Sequence, residues 1–490
     1  MTIFPGEEAL NKLDTLIELM TYEDEFAEET KVLGFLYDET KDTLYLHKGV
    51  DIEYLMKMIP NMSIQKELYN KPKRMKFEYE EIIPPRNDEQ VDVINFIAGL
   101  NQHSSNIDAR QLFLIKAPGF GKTYCSGVGM CKFGYKTLII VHRDSLRGQW
   151  MKSLYNMSGI SEEYAHVITS TEEVVRIAHN EHDYDYDVYI MTHATFRAAS
   201  KYFNSLEEIG NIVKNLGIGM KIIDEAHLEF RDTLMMDFCF NVKRNLYLTA
   251  TGGRSAKEEN SIFRHVFSNA VYYKPSSLLN SDMPKKWTEY ITVCINTNVN
   301  RNIYNYRIAG GRGMTPASYG KWVIQNDKKK THLKCCRELL KIIYNRDDKA
   351  KVLVFMPLID LCADAAYFFN KELNYDESFA YDLNIKTINS KNSPRENQDN
   401  RKADVIVTTI ASCGTGTDIP GITDIISCSP FCSKITVEQV FGRIRYCGKV
   451  CHYYDIYDDS VPLDKFWLLA RRKKFKQLAL NMRELFWKED

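Results

Sequence analysis

Ten short apolar runs, separated by stretches of helical periodicity, constrain the fold of this chain more than any other feature. Runs that are buried on both faces and alternate with helices indicate a parallel sheet in an α/β domain. The first five are QLFLIK (111–116), TLIIVH (137–142), DVYIMTH (187–193), MKIID (220–224) and NLYLTA (245–250). The second five are KVLVFMP (351–357), KTIN (386–389), DVIVTT (404–409), DIISC (424–428) and YYDIYD (453–458). The sequence therefore predicts an α/β protein with two parallel-sheet domains.

The segments outside these two domains differ from them in composition. The start of the chain combines helical stretches with GFLYDETKDTLYLHKG, which predicts a β-hairpin. A segment rich in glycine and asparagine follows the first domain, and a helical stretch with a basic run follows the second. The predicted division is a small N-terminal α/β accessory module (1–82), a first domain (83–275), a linker with excursions (276–325), a second domain (326–460) and a short basic C-terminal helical extension (461–490).

The charge distribution limits where a nucleic-acid partner can bind. The net charge of −1 excludes a global basic field, so such a partner must be held by local patches. The first fifty residues carry twelve Asp and Glu against four Lys and Arg. This balance argues against broad phosphate binding there and favours a contact with a protein partner, or a wedge. The basic run from Arg471 to Lys476 either follows a phosphate backbone or is a solvated helix face.

The sequence also indicates a compartment. The N-terminus lacks a secretory signal, and no apolar run reaches the ~18–20 residues of a membrane helix. The twelve cysteines are scattered, mostly in apolar runs, as expected for reduced thiols in a cytosol. Zinc is conceivable at Cys428, Cys432, Cys447 and Cys451, with His452 adjacent, but buried thiols are the favoured interpretation because Cys428 ends a strand-like run. We therefore expect a cytoplasmic protein without a membrane partner.

The stretch KAPGFGKT places a glycine-rich loop between a predicted strand and a predicted helix. Gly119 and Gly121 allow main-chain N–H groups to turn towards phosphates without a Cβ clash, and the helix start adds a favourable dipole end. Lys122 would reach the β- and γ-phosphates of ATP, and the hydroxyl of Thr123 would bind Mg²⁺. The usual pattern, G-x-x-x-x-G-K-[ST], has glycine where this chain has Lys116. Taken alone, the loop is also compatible with an ordinary strand-to-helix turn.

The segment KIIDEAH (221–227) supplies a second signal. An Asp–Glu pair at the end of a buried strand is what a Mg²⁺–nucleotide site needs. Asp224 would hold the metal through water, and Glu225 would orient and deprotonate the attacking water. The pair follows the glycine loop in the expected order. Together the two signals predict a site that hydrolyses ATP.

The whole series of motifs resembles superfamily 2 helicases and translocases, which have two tandem RecA-like domains. The resemblance spans residues 86–460 and rests on GFGKT, TLIIVHRDSLRGQW, DVYIMTHATF, DEAH, LTAT, KVLVFMP, DVIVTTIASCGTGTDIP and VEQVFGRIR. It implies ATP hydrolysis stimulated by a nucleic acid that crosses both domains. Contacts would be made mainly to phosphates and would be independent of base sequence.

The resemblance also implies roles for individual residues. Contacts with ATP are implied, beyond the loop residues above, for Arg86, Gln90, Pro118, Phe120, Gly416 and Asp418. Contacts with the nucleic-acid backbone are implied for Arg143, Thr192, His193 and Thr409. Coupling between the ATP site and the nucleic-acid track is implied for His227, Thr249 and Thr251.

The segment VEQVFGRIR (437–445) resembles the motif that supplies a cation across the cleft between two such domains. Gln439 and Arg443 are in register with the family, and Arg443 would stabilise charge on the transferring phosphoryl group. The family's second arginine falls at Tyr446, whereas this chain has Arg445. One residue rotates a helical side chain by about 100°, so whether Arg445 reaches the phosphate stays open.

Within the superfamily, the loop, the motif that ends in GTGTDIP, the acidic N-terminal module and the basic C-terminal helix resemble one branch. That branch includes the phage UvsW helicase, the poxvirus transcript-release helicase and XPB. It implies a monomeric, ATP-dependent DNA helicase or translocase of a phage or virus, acting in the host cytoplasm on duplex or branched DNA in recombination, repair or fork processing. A transcript-release or RNA helicase, and a binding module with a decayed ATP site, are the alternatives. A nuclease is disfavoured because no added carboxylate cluster is visible outside the motifs.

Overall fold

The computed structural model divides into two compact units, residues 1–281 and 282–490. It describes residues 71–101, 111–116, 119–226, 228–249, 271–274, 287–298, 315–414, 419–444 and 448–488, with shorter segments among residues 1–70 and 263–270. Six predicted site residues lie outside these segments, and the predictions for them stay predictions: Pro118, His227, Thr251, Gly416, Asp418 and Arg445.

The N-terminal module contributes short strands to the first unit. They are β1 (Thr2–Phe4), β2 (Thr21–Glu23), β3 (Lys31–Leu33), β4 (Phe35–Asp38), β5 (Thr43–Leu46) and β6 (Ser63–Gln65). Four form an antiparallel sheet in the order β4-β5-β1-β6, and β2 pairs with β3. Because β4 and β5 pair with Phe35 opposite Leu46, the predicted hairpin is confirmed.

The first large sheet consists of parallel strands. They are β7 (Gln111–Ile115), β8 (Thr137–Val141), β9 (Ala165–Val167), β10 (Val188–Thr192), β11 (Met220–Ile223), β12 (Arg244–Thr249) and β13 (Val271–Tyr272). Their order in the sheet is β13-β7-β12-β11-β8-β10-β9. Five of them coincide with the first five apolar runs. Leu112 and Leu114 of β7 point into one core and Phe113 into another, so both faces of the sheet are covered, as predicted.

Helices pack on both faces of this sheet. They are α1 (Asp88–Ala98), α2 (Lys122–Phe133), α3 (Asp144–Ser158), α4 (Thr171–Ala178), α5 (His193–Ser200), α6 (Leu206–Asn215) and α7 (Phe230–Cys239). The first three share the core of Leu112, and the other four share that of Phe113. Local chemistry fixes α1: the side chain of Asn87 accepts a hydrogen bond from the Gln90 N–H, and Gly99 ends the helix with a φ of 82°.

The second unit contains another parallel sheet. Its strands are β14 (Thr288–Ile295), β15 (Val352–Phe355), β16 (Ile385–Ile388), β17 (Val405–Thr408), β18 (Asp424–Ser427), β19 (Cys451–Asp458) and β20 (Met482–Phe486). Their order is β16-β17-β15-β18-β19-β14-β20. Val352 and Val354 face one core, and Leu353 and Phe355 face the other, so this sheet is also covered on both faces.

The helices of the second unit complete its two cores. They are α8 (Pro316–Tyr319), α9 (Thr331–Arg346), α10 (Ile359–Asn374), α11 (Pro394–Asn400), α12 (Lys434–Phe441) and α13 (Pro462–Leu478), with π-helical turns at Gly320–Ile324 and Ile410–Gly414. α9 and α10 share the core of Val352, whereas α12 and α13 share that of Leu353. The alternation of strands and helices is therefore the one that the sequence predicts.

Two predicted segment boundaries differ from the structure. The predicted linker, 276–325, contains β14, which pairs with β19 and β20 inside the second sheet. The predicted helical extension, 461–490, contains α13, whose Phe475 lies in the core, and also the strand β20. β14, α13 and β20 therefore belong to the second domain. The sequence does not show this, because the partners of β14 are remote along the chain.

The N-terminal module is joined to the first domain by a buried polar cluster. Nε2 of His47, which follows β5, lies 2.7 Å from Oδ2 of Asp237 on α7, and Nδ1 lies 3.1 Å from the Val266 carbonyl oxygen. Asp237 also accepts a hydrogen bond from the Tyr247 hydroxyl at 2.7 Å and forms an ion pair with Lys221. These neighbours, with Lys221 and His47 as the cations, keep the pKa of Asp237 below its usual range although burial acts the other way.

The described residues include no helix that is long and apolar enough to cross a membrane. They also include no group of three or more His, Cys, Asp or Glu side chains that could hold a metal ion. Cys428 is buried, with its Sγ 3.2 Å from Sγ of Cys336, while Cys432 is exposed. This arrangement supports a buried thiol at Cys428.

Candidate active site

The glycine-rich loop contains two glycines in the left-handed backbone conformation. It connects the end of β7 at Ile115 to the start of α2 at Lys122. Gly119 and Gly121 have φ angles of 82° and 100°, which L-residues with a Cβ rarely adopt. The loop therefore turns its main chain towards the N-terminal end of α2, where unpaired N–H groups favour an anion.

Arg86 and Gln90 lie directly against this loop. The Gln90 side chain donates from Nε2 to the Phe120 carbonyl oxygen at 2.7 Å and accepts from the Arg86 N–H at 2.8 Å. Nη2 of Arg86 donates to the carbonyl oxygens of Gly119 and Phe120, at 3.1 and 2.5 Å. Arg86 and Gln90, which are both predicted to contact ATP, therefore lie at the loop. Their hydrogen bonds hold the main chain of Gly119 and Phe120 in place.

Lys116, the residue in place of the usual first glycine, has a structural role. Its N–H donates to the Thr249 carbonyl oxygen at 3.1 Å, and this bond ties the end of β7 to the end of β12. Its ammonium group pairs with Glu89 on α1 and lies 5.1 Å from the centre of the Phe120 ring. A side chain at this position therefore links α1 to the loop, and glycine could not do so.

The shape of the loop leads to a testable result for Gly121→Ala. A Cβ at this position would lie 2.7 Å from Nε2 of Gln90, and the φ of 100° is strained for alanine. Strain and clash together cost of order 1–3 kcal/mol, which corresponds to roughly 5- to 150-fold weaker ATP binding. Equilibrium titration with a fluorescent ATP analogue measures this change.

Gly148→Ala is the matched control for that variant. Gly148 lies inside α3, and a Cβ there meets no atom within 4 Å. Alanine in a helix interior is favoured over glycine, so nucleotide affinity should stay unchanged. Equal affinities for the Gly121→Ala and wild-type proteins would contradict the assignment of this loop to ATP.

The Asp–Glu pair follows β11, as predicted. The Asp224 N–H donates to the Ile140 carbonyl oxygen at 2.9 Å, and its Oδ2 accepts a hydrogen bond from Nε1 of Trp150 at 2.9 Å. Burial and the neighbouring Glu225 raise the pKa of Asp224 to about 6, while Trp150 and Lys122 act in the opposite direction. Lys122 follows β7 and Asp224 follows β11, and both of these strands pair in parallel with β12, so the two residues lie at the same edge of the sheet.

Trp150 also belongs to the candidate site, although the sequence motifs do not predict a role for it. It is almost fully buried on α3, in the core that α3 shares with α1 and α2. Its indole donates to Asp224, as indole N–H groups commonly do when buried. The only signal in the sequence is a tryptophan on the apolar face of a helix, and this pattern is also that of an ordinary core residue.

Glu225 has a left-handed backbone conformation with a φ of 50°. For a residue other than glycine this conformation costs of order 1–3 kcal/mol and is found mainly at functional sites. The surrounding main chain fixes it, because the Ala226 N–H donates to the Leu248 carbonyl oxygen at 3.0 Å and the Leu228 N–H donates to the Glu225 carbonyl oxygen at 2.9 Å. Glu225 therefore differs from its neighbour Asp224 in backbone conformation, because only Glu225 is in the left-handed region.

The residues present suit a divalent cation bound with a nucleotide. Two consecutive carboxylates, one of them buried with a raised pKa, are destabilised as a pair of anions. A hard cation such as Mg²⁺ relieves this repulsion and prefers oxygen ligands. Asp224, together with the hydroxyl of Thr123 on α2, would hold it, and the ion would neutralise phosphate charge.

Thr249, which is predicted to couple the ATP site to the nucleic-acid track, is buried at the end of β12, the neighbour of β11 in the sheet.

The four predicted nucleic-acid contacts differ in accessibility. Arg143 is half-buried and precedes α3. Thr192 is buried, and its hydroxyl caps α5 by accepting from the Thr195 N–H at 3.1 Å. Burial, followed by the nearby Arg197, lowers the pKa of His193 to about 3. The buried Thr409 accepts from the Ser412 N–H at 3.1 Å, so only Arg143 of the four has a side chain with substantial exposure.

In the second domain, α12 carries the predicted cation motif but ends earlier than expected. The helix ends at Phe441, and Arg443 lies in the following turn, with its N–H donating to the Val440 carbonyl oxygen at 3.1 Å. The expected rotation of about 100° between Arg445 and the usual second arginine assumes a helix at these two positions, and it stays a prediction. Gln439 lies on the helix, and Arg445 is outside the described residues.

Comparisons with known proteins bear on this site and this fold. Residues 82–254, which include the loop and the Asp–Glu pair, match a family described as type III restriction enzyme, res subunit. No curated protein matches this chain.

The fold assignment rests on solved structures of S. cerevisiae Dbp5. The structure bound to RNA and ADP–BeF3 has 13% sequence identity and a TM-score of 0.50, and the match covers 77% of this chain and 85% of that chain. A variant bound to the same ligands has 12% identity, a TM-score of 0.50 and the same coverage. A variant bound to Gle1 and IP6 has 11% identity and a TM-score of 0.50, covering 85% of this chain and 96% of that chain.

Identities this low show the fold alone, which is that of two tandem RecA-like domains. This confirms the predicted fold class. Together with the family match over the first domain, it supports an ATP-using helicase-type enzyme.

Proposed function

We propose that this chain is an ATP-driven motor that moves on or remodels duplex or branched DNA. The observation that carries the proposal is the placement of a glycine-rich loop, held by Arg86 and Gln90, and of Asp224 after two parallel strands, β7 and β11, that both pair with β12. A binding module with a decayed ATP site would not need to keep this set. Recombination, repair or fork processing by a phage or virus, by a monomer in the host cytoplasm, is the proposed setting.

The roles of the individual residues follow from the chemistry of phosphoryl transfer. Lys122 would neutralise charge on the β- and γ-phosphates, and Glu225 would orient the attacking water and accept its proton. Arg443, with Gln439 and Arg445, would supply charge from the second domain, and Gly416 and Asp418 would contact ATP. Thr249, with His227 and Thr251, would pass the state of the ATP site to the nucleic-acid track.

DNA is the favoured partner because the family matched by residues 82–254 is that of a restriction enzyme subunit, and restriction enzymes act on DNA. Contacts would be made to phosphates, with Arg143 as the accessible candidate and Thr192, His193 and Thr409 near the track. The acidic N-terminal module would bind a protein partner or act as a wedge.

An RNA helicase or transcript-release factor is the second candidate. One observation favours it: the Dbp5 structures of similar fold include complexes with RNA. The ATP site would be unchanged, and only the nucleic-acid track would differ. RNA differs from DNA at such a track by its 2′-hydroxyl groups and its A-form geometry.

Steady-state ATPase rates across a panel of nucleic acids test the proposal. The panel contains forked, four-way, duplex and single-stranded DNA and the matching RNAs, all at one ionic strength, because phosphate contacts depend strongly on salt. We expect the greatest stimulation by branched or duplex DNA. Glu225→Gln is the control and should remove the stimulation by every substrate.

The possible outcomes separate the two candidates. Stimulation by RNA alone would favour the second candidate over the first. Hydrolysis that no nucleic acid stimulates would contradict both.

A further inference from the structure

The basic run of the C-terminal helix contains an arginine that faces inwards. Arg471 on α13 is fully buried, whereas its neighbours Arg472 and Lys473 are accessible. Nε and Nη2 of Arg471 donate to the two carboxylate oxygens of Asp455 at 2.9 and 3.2 Å. Asp455 also accepts from the Tyr290 hydroxyl at 2.5 Å. A nucleic-acid contact from this arginine is therefore excluded.

The third contact of Arg471 leads towards α12. Its Nη1 donates to the carbonyl oxygen of Phe431 at 2.9 Å, and its guanidinium lies 5.3 Å from the centre of the Phe431 ring. Phe431 belongs to the segment between β18 and α12, and α12 begins at Lys434. Arg471 thus holds the main chain immediately before the helix that leads to Arg443.

A second residue of α13 contacts the other end of α12. The Phe475 ring stacks on Tyr290 with a centroid distance of 4.0 Å and meets the Phe441 ring edge-on at 5.5 Å. Phe441 is the last residue of α12, two positions before Arg443. Arg471 and Phe475, one helical turn apart on α13, therefore contact the segment that leads into α12 and the last residue of α12, respectively.

We propose that Arg471 is a positioning residue for ATP hydrolysis, which, together with Phe475, fixes α12 so that Arg443 is presented in its productive orientation. The inference rests on the proposed function. Stability alone does not account for the buried pair, because well-packed apolar side chains in place of both Arg471 and Asp455 would stabilise such a site as well as the ion pair does. The planar guanidinium supplies what an apolar side chain lacks, a fixed fork that joins β19 to the Phe431 carbonyl.

The test compares Arg471→Met with Arg346→Met in the full chain. Arg346 on α9 also pairs with a buried carboxylate of the second domain, that of Asp424 at 2.5 Å, but it does not hold α12. We expect Arg471→Met to lower the kcat of stimulated ATP hydrolysis roughly 10²-fold, the size of effect that a 1 Å displacement of a reacting group produces. The KM for ATP should change little, because the loop and Asp224 are in the first domain. Arg346→Met should lower the melting temperature similarly and leave kcat unchanged.

A double variant shows whether Arg471 acts through Arg443. If it does, Arg443→Ala/Arg471→Met should be no slower than Arg443→Ala alone, whereas independent effects would multiply. Arg471→Lys keeps the charge without the fork, so its kcat should stay low. Phe475→Leu keeps the apolar core and loses the ring contact with Phe441, so it should lower kcat even where Arg471→Met fails to fold.

The outcomes distinguish this inference from the proposed function. A folded Arg471→Met protein whose kcat equals that of Arg346→Met overturns the inference, as do multiplying effects in the double variant. In either case a loss of activity in Arg443→Ala keeps the motor proposal intact. A fully active Arg443→Ala protein would instead contradict the role of Arg443 in the proposed function.

Discussion

Replacing Lys122 with alanine is expected to abolish nucleic-acid-stimulated ATP hydrolysis. Lys122 is the first residue of α2, and its ammonium group donates to the Lys116 carbonyl oxygen at 2.9 Å, inside the glycine-rich loop. Removing one preorganised donor from a developing oxyanion lowers kcat on the order of 10²–10³-fold. Initial rates at saturating nucleic acid measure the effect, with a melting curve to verify the fold.

Lys132→Ala provides the matched control. Lys132 lies in the last turn of the same helix, and its side chain is exposed. Both substitutions remove a lysine from α2, but only Lys122 is at the end that faces the loop. We expect Lys132→Ala to hydrolyse ATP like the wild type. Full activity of Lys122→Ala would show that the ATP site has been assigned to the wrong loop.

Replacing Asp237 with asparagine is expected to destabilise the first unit by about 3–5 kcal/mol, the usual cost of removing one partner of a buried charge pair. The carboxylate is fully buried beside Lys221, and Nε2 of His47 lies 2.7 Å from it. Asparagine keeps the shape but leaves the buried cations without a counter-charge. For a unit of this size the melting temperature should fall by roughly 10 °C, which calorimetry measures.

Two further variants make this stability experiment specific. Asp144→Ala removes a largely exposed carboxylate that pairs with Arg147 at 3.1 Å, and it should change the free energy of unfolding by less than about 1 kcal/mol. Lys221→Met/Asp237→Leu replaces both buried charges with apolar groups and should recover much of the stability lost in Asp237→Asn. An unchanged melting temperature in Asp237→Asn would mean that this cluster does not hold the module in place.

The strands that the sequence predicts are those whose burial is visible along the chain. β8 has five consecutive buried residues and β12 has six, and each contains a short apolar stretch, LIIV in β8 and LYL in β12. β14 was missed as a strand because its partners β19 and β20 are remote and its surroundings are rich in glycine and asparagine. β20 is largely exposed, and its sequence MRELF does not alternate polar with apolar residues, so it lacks the pattern of a strand and resembles a continuation of the preceding helix.

The residues of the candidate site also fall into two groups, those that the sequence predicts and those that only the structure shows. Gly121, Lys122 and Asp224 belong to local motifs whose chemistry is readable from residue type and spacing. Trp150 contacts Asp224 across 74 positions and His47 contacts Asp237 across 190, so neither pair leaves a periodic signal in the sequence. Arg471 belongs to a basic run, but its side chain points into the core because it pairs with Asp455 on β19. The sequence of the run itself does not show this.

β14 is the first strand of the second domain in the sequence, whereas its neighbours in the sheet, β19 and β20, are the last. The hydrogen bond from Tyr290 to Asp455 joins residues 165 positions apart. Because long loops must close before such contacts contribute, domains that depend on them fold slowly. During that delay the apolar β14 segment has no pairing partner, and unpaired apolar strands aggregate. The second domain is therefore vulnerable to aggregation until its last strands are in place.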